Sequence, residues 1–213
     1  MIMELCFLRR LYSICLFCFF LSLFIVTSAG HIDSPDGKES FLLAESMIKR
    51  QSLGLTQKTD TALRVESGVW YPVRGIGQAL VMLPFYIIGE RLFYTFGLNE
   101  GLKGYFMEGI CSLSSALLSA LLCFVFFLFL LGMGYSLKSS TITTFILGLA
   151  TVIWPYSKST FNQMLTALML LTTLYTLYVF KINKSLYSLF YAGLSFSFLL
   201  LTRLENIFLL PLL

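Results

Sequence analysis

The sequence predicts an all-α membrane protein, and three features carry that prediction. Hydrophobic residues make up 57% of the chain, charged residues only 12%, and the mean hydropathy is +0.83. Soluble domains run at about 45–50% apolar and about 25% charged. Phenylalanine is abundant, at 21 of 213 residues, which suits helices facing lipid. Finally, long apolar runs are joined by short polar connections: GYSLKSS, PYSKSTFN and KINKS.

Charge and cysteine usage exclude several classes. A net charge of +4 points to no nucleic acid partner, because a modest excess in a membrane protein sits in its cytoplasmic loops. Cys6, Cys15, Cys18, Cys111 and Cys123 all lie in or beside apolar segments, so no disulfide framework is indicated. Cys15 and Cys18 form a CxxC inside a hydrophobic run with no histidine nearby, and read as small apolar fillers. The single histidine rules out a multi-histidine metal site, and no cofactor is called for.

Residues 1–30 form an N-terminal transmembrane anchor. Arg9 and Arg10 precede the apolar run Leu11–Ala29, which is about long enough to cross a bilayer. Thr27, Ser28 and Ala29 resemble a signal-peptidase site, but a retained anchor fits better because the rest of the chain is itself apolar. Arginines before the run keep the N-terminus in the cytoplasm, so His31 emerges outside.

Residues 31–106 form a large external loop carrying two interfacial helices. Phe41, Leu42, Ala44, Met47 and Ile48 recur at helical spacing, with Lys38, Glu45, Lys49 and Arg50 mostly opposite. That pattern predicts a helix lying on the outer leaflet, ended by Gly54. Residues 57–68 are expected to be loop, and Trp70, Tyr71 and Pro72 suit the aromatic belt. Segment 75–96 is long enough to cross but is interrupted by Pro84, Gly89, Glu90 and Arg91. If it stays outside, Lys138, Lys181 and Lys184 fall in cytoplasmic loops, as the positive-inside rule requires. It is therefore placed as a second outer-face or re-entrant helix.

Residues 107–213 form a transmembrane bundle with spans at about 107–133, 141–155, 163–180 and 186–210. With the anchor, this makes about five transmembrane helices in a multi-pass protein of the inner or plasma membrane. The chain stops within apolar sequence, at Ile207–Leu213, so it is expected to be the front part, or a truncated copy, of a longer protein. There is no soluble domain and no short internal repeat.

Candidate chemistry gathers on the outer side. Asp33 and Asp36 lie in the turn-forming DSPDG. Either is a helix cap, worth about 1 kcal/mol, or a general base that takes a proton from an attacking acceptor hydroxyl. Arg203 and Glu205 stand well inside the last apolar run. Seventeen residues from Leu186 at about 1.5 Å each put Arg203 near the outer face. It is a snorkelling arginine or a holder of a lipid-linked phosphate; pairing with Glu205 at i, i+2 is disfavoured on one helix face. Lys158 and Tyr156, in the outer turn WPYSK, are interfacial anchors or line the mouth of the same cavity, with Lys158 a second phosphate contact. Arg74, beside Trp70 and Tyr71, holds a comparable place. No P-loop, HExxH or GxSxG is present.

In order, the chain carries the acidic external loop SPDGKESFLLAESM and GxWYPxRGxGQxLxxxPFYxxG at Gly68–Gly89. WPYSKS follows at Trp154–Ser159, and LTRLEN at Leu201–Asn206. Together these resemble the polytopic glycosyltransferases of the GT-C fold, in the group of dolichyl-phosphate-mannose-protein mannosyltransferases and aminoarabinose transferases. The resemblance covers most of the chain from about residue 31 and rests on the order and spacing of four short motifs. It implies inverting transfer of a sugar from a polyprenyl-phosphate donor to a lipid, glycan or protein acceptor outside the membrane. It also implies a catalytic base in the first external loop, which falls on Asp36 or Asp33, Asp36 preferred because it directly precedes the helix. Arg203 and Lys158 match the arginine and lysine of the family's LTR-type and WPYSK-type motifs. The acidic pair is split by Ser34 and Pro35, unlike the adjacent pair common in the family, which gives little support for a metal. Two other classes remain: a transporter or flippase for a lipid-linked sugar, for which the paired broken helices of two halves are missing, and an inactive, truncated membrane scaffold.

Overall fold

The computed structural model describes residues 2–55, 57–59, 62–64 and 69–212, with side chains between Arg9 and Pro211. The chain is mostly helical, at 78%. In order, the elements are α1 (Ile2–Val26), α2 (Pro35–Arg50), β1 (Leu63–Arg64), β2 (Trp70–Tyr71), α3 (Gly77–Thr95), α4 (Lys103–Gly132), α5 (Leu137–Leu149), α6 (Ile153–Lys158), α7 (Asn162–Asn183) and α8 (Leu186–Thr202). A 3-10 segment, Leu204–Leu212, follows α8. Among the described residues, three helical stretches are long and apolar enough to cross a membrane: Arg9–Val26, Glu100–Gly132 and Asn162–Asn183.

Two hydrophobic cores share α4. One is built by α1, α4, α6 and α7 around Phe20, Phe24, Cys123, Phe127 and Leu165. The other is built by α2, α3 and the first turns of α4 around Phe41, Leu43, Met82, Tyr86 and Met107. Tyr12 reaches Thr141 by a 3.0 Å hydrogen bond, and Phe129 stacks against Tyr175 and Tyr178; these mark one end of the bundle. The Trp154 indole donates to Thr27 at 3.3 Å and the Ser34 hydroxyl to the Thr160 carbonyl at 2.8 Å; these mark the other.

α3 lies across that second end. Gly77, at its start, abuts Thr202, while Gly89 and Phe93 meet Met107, Ile110 and Phe106 in the first turns of α4. Lys38 of α2 pairs with Glu108 at the same level. Both ends of α3 are thus held where α2 docks.

Several elements differ from the sequence-based expectation, each for a local reason. The 141–155 span is two pieces, α5 and α6. Pro155 lacks an N–H and its ring collides with the carbonyl four residues earlier, at Thr151, where the break falls. The 186–210 span ends as α-helix at Thr202, and Arg203 is extended, at φ −151°. α2 is not laid on a surface with one wet face, because Asp36, Glu39, Ser40 and Ser46 are buried along with Phe41–Ala44. In the 57–68 stretch expected to be loop, Leu63–Arg64 pairs antiparallel with Trp70–Tyr71, in register Leu63↔Tyr71; residues 60, 61 and 65–68, including the first glycine of the GxWYP motif, lie outside the described residues. Cys15, Cys18, Cys111 and Cys123 are free thiols, and the Cys6 side chain is outside the description.

Candidate active site

The site forms where the first turn of α2, the segment before α3 and the end of α8 meet. α2 begins as its sequence dictates. Ser34 is the N-cap, its hydroxyl accepting the Gly37 N–H at 3.0 Å, with Pro35 at the first helical position and Asp36 in the first turn. Because Ser34 also donates to the Thr160 carbonyl, one hydroxyl both starts the helix and ties it to the α6–α7 turn. The capping role considered for Asp36 therefore belongs to Ser34, and the Asp36 carboxylate turns elsewhere.

It turns to two arginines. Arg74 Nη2 lies 2.8 Å from Asp36 Oδ1, and Arg203 Nη2 lies 3.7 Å from Asp36 Oδ2. One turn along the helix, Glu39 is buried as deeply, with Arg74 Nη1 at 3.6 Å from Oε2 and the Thr59 hydroxyl donating to Oε1 at 3.2 Å. Two buried carboxylates facing two guanidinium groups balance the charge that burial would otherwise make costly. Arg203 also pairs with Glu205 at 2.9 Å. That pair is disfavoured on a helix face at i, i+2, but α8 has ended by then and the extended backbone of Arg203 brings the two side chains together.

Glycines let the two motifs meet. A Cβ on Gly75 would strike the Leu201 carbonyl oxygen, and one on Gly77 would strike the Thr202 hydroxyl. RGxG thus packs directly on the backbone of LTR, which puts Arg74 and Arg203 side by side. A groove of about 850 Å³ opens beside them, lined by Val73–Ile76 and Leu200–Glu205. Arg74 Nη1 and Arg203 Nε are buried and make no hydrogen bond; Arg74 Nη1 keeps only its 3.6 Å ion pair with Glu39.

The remaining sequence-predicted residues are placed elsewhere. Asp33 is exposed and accepts a 3.0 Å hydrogen bond from Ser159. Lys158 stacks over the Trp154 ring, 5.3 Å from its centroid, and Tyr156 sits edge-on to Phe161. Neither lines the groove or pairs with Asp36. Asp33 instead lines a second cleft, of about 360 Å³, with Ser34, Lys38, Lys58 and Thr59. Among the described residues no group of three or more metal-ligating side chains occurs. Thr59 has no signal in the sequence, and Glu39, one of the three acids of the loop with Asp33 and Asp36, is given no role there. For Glu39 the signal was there, since it stands three residues after Asp36 and so shares its helix face.

Comparison with known protein families, curated proteins and solved structures gives no match. The chemistry of the site therefore rests on its geometry. Two arginines converging on one buried carboxylate, beside an open groove, can bind an anion, present a base, or do both.

Proposed function

We propose that this chain is a membrane glycosyltransferase, GT-C-like, that moves a sugar from a polyprenyl-phosphate donor to an acceptor outside the membrane, with inversion. The observation that carries the proposal is the buried Asp36 shared by Arg74 and Arg203 beside the groove. Arginine matches phosphate through its planar fork of donors. In the proposed reaction the donor phosphate takes up the guanidinium N–H groups and frees an Asp36 oxygen. The acceptor hydroxyl attacks the anomeric carbon from the face opposite the phosphate, its proton passes to Asp36, and the sugar–phosphate bond breaks with its electron pair left on the polyprenyl phosphate.

Sidedness supports the reading. Asp36, Arg74 and Arg203 lie at the same end of the bundle as Thr27 and Lys158. Arg9, Arg10, Lys138, Lys181 and Lys184 belong to loops and helix ends that face the other way in a five-pass, N-terminus-in topology. α3, held across the outer end, then fits as the outer-face or re-entrant helix, and the broken α5–α6 pair as one crossing.

A second reading, a static clamp without substrate, is favoured by the charge balance of Asp36, Glu39, Arg74 and Arg203. A transfer assay separates the two. Membranes containing the chain are supplied with polyprenyl-phosphate sugars and scored for incorporation into envelope lipid, glycan and protein. Compared at equal amounts of membrane-inserted chain, Asp36→Asn and Arg203→Gln should abolish transfer, while Asp33→Asn retains it. Full transfer by Asp36→Asn would leave only the clamp.

A further inference from the structure

Besides the arginine groove, the bundle has an apolar groove of about 360 Å³ lined by Leu177, Leu189, Ala192, Gly193, Phe196 and Leu210. Two elements line both. Leu204 and Glu205 of the 3-10 segment wall the arginine groove, and Leu210 of the same segment walls the apolar one. On α8, Leu189, Gly193, Phe196 and Leu200 follow at i, i+4, i+7 and i+11, which places them along one helix face. Leu200 lines the arginine groove and the other three line the apolar one. The two depressions thus follow each other along one face of α8, charged at the Arg203 end and apolar beyond it. Ten residues separate Gly193 from Arg203, about 15 Å along the axis.

We infer that this face of α8 is the track of the donor's hydrocarbon tail, with the phosphate at Arg74 and Arg203 and the prenyl chain lying over Gly193. The inference rests on the phosphate-binding reading of the arginine groove and extends it to the length of chain that is recognised. The polar pattern selects the occupant, since a single chain with one phosphate head matches a depression that carries its guanidinium groups, Arg74 and Arg203, at one end only. Gly193 forms the open floor. A Cβ added there meets nothing within 4 Å, so a side chain at this position fills the track without disturbing the fold, and leucine favours helix over glycine.

The test is equilibrium binding of undecaprenyl phosphate and of geranyl phosphate, whose short tail ends before Gly193, to the full chain in detergent micelles. Gly193→Leu should weaken undecaprenyl phosphate at least tenfold and leave geranyl phosphate unchanged. Unchanged binding of both, or equal loss of both, overturns the track. Equal displacement of undecaprenyl phosphate by phosphatidylglycerol also overturns it, because bulk lipid would then be the occupant. Arg203→Gln, measured in parallel, separates this failure from failure at the head. If Arg203→Gln leaves both prenyl phosphates bound, the head site is refuted and the track with it.

Discussion

At the residue scale, Asp36 and Asp33 look alike in the sequence and are opposites in the structure. Asp36 is 6% exposed and meets two guanidinium groups, whereas Asp33 is exposed and accepts one hydrogen bond, from Ser159. Removing one partner of a buried ion cluster costs about 3–5 kcal/mol, because the opposite charges are left uncompensated; losing one exposed hydrogen bond costs about 1 kcal/mol or less. Asp36→Asn should therefore lower the thermal midpoint in detergent by several degrees, and Asp33→Asn by little. The Lys49–Glu45 pair on the same helix behaves differently again. The Glu45 carboxylate, 2.7 Å away, holds the Lys49 ammonium above the ordinary lysine value. That pair's contribution is complete below the ordinary lysine pKa and is lost only as pH rises through the raised value. Asp36 was legible as a candidate because turn formers and a helix pattern surround it. Arg74 and Arg203 were legible as outer-side candidates too; their pairing with Asp36 was not, since the two stand far apart in sequence and nothing in the spacing of either names the other.

At the scale of elements, the start of α2 was readable to within a turn: Ser34 and Pro35 are ordinary start signals, although Asp36, expected directly before the helix, stands in its first turn. The end of α8 was not. Leu186–Leu210 is apolar throughout apart from a few residues, and no local signal marks Thr202 as the last helical residue. What marks it is tertiary: Gly75 and Gly77 press on Leu201 and Thr202, and Arg203 leaves the helix to reach Asp36. The α5–α6 break had a signal in Pro155, outweighed in the sequence by the length of the apolar run. The glycine contact can be tested by exchange. Gly75→Ala, forced against the Leu201 carbonyl, should destabilise by about 1–3 kcal/mol. Gly193→Ala, with open space around it, should be neutral or stabilising by up to about 1 kcal/mol, both read as shifts in thermal midpoint.

At the scale of the molecule, composition together with the long apolar runs predicted the helical, apolar character, and the two cores explain why the chain has two parts. α1, α4 and α7 supply long apolar helices, while α2 and α3 build a second core on the end of α4 and hold the charged cluster there. The cluster opens on the groove beside Arg74 and Arg203. The most direct measurement compares the affinity of the full chain for undecaprenyl phosphate with that for undecaprenol, which has the same tail and no charge. Preference for the phosphate by tenfold or more is expected, lost in Arg74→Gln and in Arg203→Gln. Equal affinity for phosphate and alcohol would contradict an anion site at Asp36, Arg74 and Arg203.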